Sequence, residues 1–85
     1  MDWRLRSGVL VTDTEYGAAL LDEDSGIYWT LNDTAAVVVR ALAGGGGADA
    51  AAGALRHAYD VDPTTARSDV SDLLDALDAA GLVER

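Results

Sequence analysis

The polar and apolar positions change period once along the chain, near residue 32. Before that point, short β-rich runs alternate with turn residues: "VLVT" at 9–12, "YGAALL" at 16–21 and "GIYWTL" at 26–31. The acidic segment "DEDSG", Asp22 to Gly26, separates the last two and ends in the glycine that a tight hairpin needs. Three runs joined by two short connections predict an antiparallel meander. Whether "WRLR", residues 3–6, extends the first strand is left open by the pattern.

After residue 32 the spacing becomes helical. Asn32 or Asp33 serves as N-cap, and Ala35, Val38, Val39 and Leu42 form one stripe of a helix over 33–43. The β-branched run Val37 to Val39 is a poor isolated helix, so packing must hold it. The quartet Gly44 to Gly47 stops it; no strand precedes these glycines and no Gly-Lys-Ser/Thr follows, so they read as a connector rather than a phosphate cradle. A second helix is expected over 50–59, capped by Asp49, with Leu55, Ala58 and Tyr59 on its apolar side. A third is expected over 63–80, with Asp62 as cap, Pro63 in the first turn and Gly81 just past the end. Val70, Leu73, Leu74 and Leu77 are its stripe, and Leu82 and Val83 should fold back on the core. Strands first and helices second define an α+β domain. The expectation is one domain over 1–85, winged helix-turn-helix-like, a three-stranded antiparallel sheet followed by three helices.

At 85 residues the chain can bury only about 60% of its unfolded surface, and with no Phe its core must be small and aliphatic. It has no Cys, which fits a reducing cytoplasm and excludes disulfides and thiolate metal sites. No secretory signal opens it, and no apolar run approaches the length of a membrane span. Lys and Arg total 6 against 15 Asp and Glu, a net charge of −9. Such a surface repels nucleic acid and either keeps the protein soluble or attracts a basic partner.

Catalytic chemistry finds no support. His57 stands alone, and Ser7, Ser25, Ser68 and Ser71 have no His close in sequence and no nucleophile-elbow pattern. Asp22, Glu23 and Asp24 lack the ligand spacing of a calcium loop and read as a solvated turn. No enzyme, metal or cofactor is therefore expected. DNA reading is disfavoured by the third helix itself, where Asp69, Asp72, Asp75 and Asp78 make an acidic ribbon and Arg67 is the one basic residue.

The third strand poses a separate problem. Tyr28 and Trp29 are adjacent, so they must point to opposite faces, and nothing in Ile27 to Leu31 blunts a free edge: there is no Lys and no Pro. Either an extended peptide supplies the missing strand, or one aromatic caps the core and the other lies on the surface. The residues alone leave both open.

"LLDEDSGIYWTLNDTAAVVVRAL" followed by "YDVDPTTARSDVSDLLDALDAAGLV" resembles the PqqD-like family, the precursor-peptide recognition elements of ribosomally made, modified peptides (RiPPs). The likeness runs from about Val9 to Val83, departs at Gly44 to Ala48, and is greatest to the stand-alone leader-binding subunits of lasso-peptide biosynthesis. It implies a non-catalytic domain on which the leader of a precursor binds as an added strand. The leader would dock on the third strand, at Ile27, Tyr28, Trp29 and Thr30, in a groove closed by the third helix through Val70, Leu73 and Leu74. Asp69 and Asp72, on the flank of that stripe, would meet basic leader residues. The implied partners are the leader peptide, a separate cysteine protease and an ATP-dependent cyclase. The alternatives are a peptide chaperone for a radical-SAM or redox-cofactor pathway, a winged-helix transcriptional regulator, and a subunit whose edge merely dimerises.

Overall fold

The computed structural model describes residues 3–15 and 17–84. The elements are β1 (Arg4–Leu5), β2 (Val9–Thr14), β3 (Gly17–Asp22), β4 (Tyr28–Leu31), α1 (Asp33–Ala43), α2 (Ala48–Ala58), α3 (Pro63–Ala79) and β5 (Val83–Glu84). The α+β class is as the pattern predicts: β2, β3 and β4 form an antiparallel meander in that order, and three helices follow. Residues 3–6 do not extend the first strand. Arg4–Leu5 pairs instead with Val83–Glu84, joining the two ends of the chain in a separate two-stranded ribbon.

The first strand runs to Thr14, two residues past its expected end at Thr12. Tyr16, where the second strand was expected to begin, lies outside the described residues. At the other turn, Asp22 and Ile27 close a four-residue loop. The Asp22 N–H donates to the Ile27 carbonyl at 2.9 Å, and the Gly26 N–H donates to the Asp22 carbonyl at 2.8 Å. Gly26 takes φ 73°, which a side chain would oppose, so Gly26 and Ile27 belong to the loop closure and β4 starts at Tyr28. "DEDSG" is also not uniformly solvated: Asp22 is 7% exposed.

Asn32 caps α1, its Oδ1 accepting from the Ala35 N–H at 2.8 Å. Asp62 caps α3, accepting from the Thr65 N–H at 2.9 Å and the Thr65 hydroxyl at 2.8 Å. The expected Asp49 cap on α2 is a misreading. The N-cap is Gly47, with no side-chain acceptor, and Asp49 sits exposed in the first turn, where a negative charge still suits the helix dipole. Ala58 and Tyr59 are exposed because α2 ends there and Tyr59 is extended; the face of α2 that is buried is Ala51, Ala52 and Leu55. Small side chains at the first two let α2 approach α1 and α3 closely.

The core lies between one face of the meander and the helices. Leu20, Val39, Leu77 and Leu55 are at most 1% exposed, and Leu82 and Val83 fold back into the same cluster.

Candidate functional site

Antiparallel pairing puts partners on the same face of a sheet. Trp29 registers with Leu20, and Tyr28 with Leu21. Leu20 is a core residue, so Trp29 lies on the helix-facing side of β4 at the margin of the core, 36% exposed. Tyr28 lies on the opposite face and is 56% exposed.

Among the described residues β4 pairs only with β3, which leaves its other edge free of them. The hydrogen-bonding alternation can be counted from the Asp22–Ile27 bond. Trp29 and Leu31 direct their main-chain groups to β3, while Tyr28 and Thr30 direct theirs outward. Tyr28 and Thr30 therefore offer two N–H and two C=O groups to an incoming strand, flanked by exposed Ile27.

Just beyond the end of β4 a cleft of about 160 Å³ opens among α1, α2 and α3, lined by Asn32, Ala35, Val38, Leu55, Asp69 and Leu73. Leu73 is half-buried and packs on the core, giving the cleft an apolar wall, and exposed Asp69 places a carboxylate on its rim. The other α3 residues singled out from the sequence lie elsewhere. Val70 and Leu74 are 2% exposed and border a second cleft, of about 130 Å³, with Trp3, Ala48 and Arg67. Asp72 is exposed and borders neither cleft. One turn of helix separates Asp69 from Leu73, so these two share a stripe about 100° from Val70 and Leu74.

Sequence reasoning missed the support beneath this edge. Arg6 Nη2 contacts Asp22 Oδ2 at 2.6 Å, Arg6 Nη1 contacts Asp24 Oδ2 at 3.2 Å, and Arg6 Nε donates to the Gly81 carbonyl at 2.7 Å. The Ser25 hydroxyl donates to Asp22 Oδ2 at 2.9 Å, and the Asp24 N–H to Asp22 Oδ1 at 3.1 Å. Ser25 first, then Arg6 and the Asp24 N–H, hold the Asp22 carboxyl below the usual range against the opposing cost of burial. One guanidinium thus ties β1, the β3–β4 loop and the end of α3 together. No local spacing signals it, since Arg6 and Gly81 are 75 positions apart.

His57 and the four serines are exposed, and among the described residues no group of three or more His, Asp or Glu is placed to hold a metal. No helix is long and apolar enough to cross a membrane among those residues.

A three-stranded meander followed by a helix-turn-helix, with a third-strand edge that pairs with nothing else among the described residues, defines a winged-helix-like domain. Residues 17–83 match the family described as Coenzyme PQQ synthesis protein D (PqqD), and the chain belongs to that family. Solved structures agree in fold. One is a lasso peptide synthetase B1 complexed with the leader peptide, 39% identical over 100% of both chains, with TM-score 0.84. A second is TbiB1 in complex with the TbiA(beta) leader peptide, 25% identical over 95% of this chain and 94% of that one, with TM-score 0.86. A third is the PqqD truncation of Methylobacterium extorquens PqqCD, a stand-alone RiPP recognition element. It is 26% identical over 99% of this chain and 89% of that one, with TM-score 0.78. A search of curated proteins found no match.

Proposed function

We propose that the domain binds the leader segment of a ribosomally made precursor peptide, without catalysis, and presents it to a separate leader protease and an ATP-dependent cyclase in lasso-peptide biosynthesis in the cytoplasm. The observation that carries this reading is the free edge of β4, whose outward main-chain groups at Tyr28 and Thr30 open beside the Asp69–Leu73 cleft. An extended leader pairs with that edge. Main-chain bonds give affinity, and an apolar leader side chain facing the helices meets Trp29 and Leu73. Asp69 attracts a Lys or Arg of the leader, while Val70 and Leu74 support the wall from within the core and Asp72 adds to the field. The likeness to two leader-bound structures, one 39% identical throughout, supports the lasso setting over a redox-cofactor pathway.

Replacing an outward-facing donor tests this. Thr30→Pro removes an N–H that β3 does not use, whereas Trp29→Pro breaks the sheet itself. Thr30→Pro should stay folded by circular dichroism and lose binding of a fluorescent leader peptide. A folded Thr30→Pro variant that binds normally would exclude strand addition at β4.

A further inference from the structure

Among the described residues, three arginines are paired: Arg4 with Glu84, Arg6 with Asp22 and Asp24, and Arg40 with Asp13. Arg56 on α2 and Arg67 on α3 form no ion pair or hydrogen bond with any of those residues. Neither has a carboxylate three or four positions away within its own helix. Arg56 follows Ala52 and Gly53, and α2 ends at Ala58; Arg67 lies between Pro63 and Thr64 on one side and Val70 and Ser71 on the other. Both line one cleft of about 170 Å³ between α2 and α3, with buried Ala52 in its wall. Two unpaired guanidiniums thus meet in one cleft of a chain whose net charge is −9.

Arg67 and Asp49 also line the neighbouring cleft of about 130 Å³, where Trp3, Val70 and Leu74 give apolar surface and Asp75 a carboxylate. The two clefts make one groove along the seam of α2 and α3, cationic at the Arg56 end and acidic at the Asp75 end. Asp49 and Arg56 are seven positions apart on α2, with Ala52 and Gly53 between them. Arg67 and Asp75 are eight apart on α3, with Val70 and Leu74 between them. At a rise of 1.5 Å per residue, opposite charges stand about 10–12 Å apart along the groove.

That spacing selects the occupant. Small-molecule sites enclose most of their ligand, whereas Asp49, Arg56, Arg67 and Asp75 are all exposed along this rim. A helix presents positions i and i+7 on one face about 10 Å apart, with i+3 and i+4 between them. An acidic residue at one end of that stripe, a basic one at the other and apolar side chains between them match the groove in charge and surface. A second copy fits less well. It would set one hollow against another, and two molecules of charge −9 repel.

We propose that the α2–α3 groove docks an amphipathic helix of a partner protein. Its carboxylate lies between Arg56 and Arg67, its Lys or Arg two turns away meets Asp49 and Asp75, and its apolar side chains cover Trp3, Val70 and Leu74. Because Val70 and Leu74 lie about 100° around α3 from Leu73, this helix docks whether or not the β4 edge is occupied. The inference stands independently of the leader-binding reading.

Two labelled alanine-based helical peptides serve as probes, with Glu and Lys seven positions apart in either order and two Leu between them. Fluorescence anisotropy at about 50 mM salt, where exposed charges are weakly screened, measures their binding. One order should bind saturably. Arg56→Glu and Arg67→Glu, both at exposed positions, should keep the fold by circular dichroism and weaken that binding about tenfold. Replacing the Glu of the peptide by Lys should restore affinity for the Arg56→Glu variant and lower it for wild type. Failure of both orders to bind, equal binding by the variants, or displacement of the probe by leader peptide would overturn the docking site. Tighter binding of the same peptide with a central Pro would overturn the helical occupant. Self-association of the wild type that Arg56→Glu abolishes would overturn the proposal in favour of a second copy.

Discussion

Arg6 and Asp22 meet at 2.6 Å, and through this contact the N-terminal segment holds the loop that leads into the exposed edge strand. Asp22 is nearly buried, while Arg6 keeps about a third of its side chain in water. Removing the guanidinium takes the charged partner from a carboxylate that also accepts from the Ser25 hydroxyl and the Asp24 N–H. Arg6→Met should therefore lower Tm, and so should Asp22→Ala. Because both act on one network, the double variant should lose less than the sum of the two. Thermal unfolding of the four proteins measures this; strict additivity would mean that the contact contributes nothing.

Acid should weaken α3 through its cap. The Thr65 N–H first, then the Thr65 hydroxyl, hold the Asp62 carboxyl below its ordinary value. A group with a lowered folded-state pKa contributes stability that is full above its unfolded value, about 3.9, and is lost as pH falls through the folded one. Asp22 acts in the same direction. Stability should thus fall from about pH 5 downward. Asp62→Asn keeps a good capping side chain but no titrating group, so it should change Tm little at pH 7 and flatten the fall between pH 5 and 3. Equal slopes for wild type and variant would remove the cap from the account.

Core and outer face should respond differently to truncation. Leu77 is 0% exposed, and Leu77→Ala should cost about 2–5 kcal/mol, a large share of what an 85-residue domain has. Leu10→Gln, at a 49% exposed position, should stay within about 0.5 kcal/mol. Urea midpoints compare the two. A Leu10 cost near that of Leu77 would make Leu10 part of the core.

The class and order of elements were legible because they follow from local signals: period, caps, and glycines at turns. Asn32 and Asp62 were readable as caps because each precedes a helical stripe, while Asp49 misled because a capping residue type at the second position of a helix looks the same in sequence. The free β4 edge was also legible, since nothing in Ile27 to Leu31 blunts it. Pairings distant in sequence were not. The Arg4–Leu5 ribbon with Val83–Glu84, the Arg6 ties and the alignment of Leu10 with Tyr28 through Leu21 depend on register and tertiary closure. The helix stripe of α3 was read as a single wall, yet a 100° turn separates Asp69 and Leu73 from Val70 and Leu74, and only the placement of α1 and α2 decides which pair borders the β4 cleft.

That separation allows the acidic ribbon to be divided by experiment. Asp69 stands on the rim of the cleft and Asp72 does not, although both are exposed. A leader Lys or Arg reaching that rim gains a solvated pair worth at most about 1 kcal/mol, felt mainly in the on-rate. Asp72 contributes only through the general negative field, which salt screens. Asp69→Asn should therefore weaken leader binding several-fold at about 50 mM salt, and Asp72→Asn by much less. Near 0.5 M, where the Debye length is about 4 Å, the two variants should converge on wild type, because apolar contacts with Trp29 and Leu73 persist. Stopped-flow association with a labelled leader at both salt levels separates the terms. If the two variants weaken binding equally at low salt, the ribbon acts as a diffuse field and Asp69 has no place in the groove.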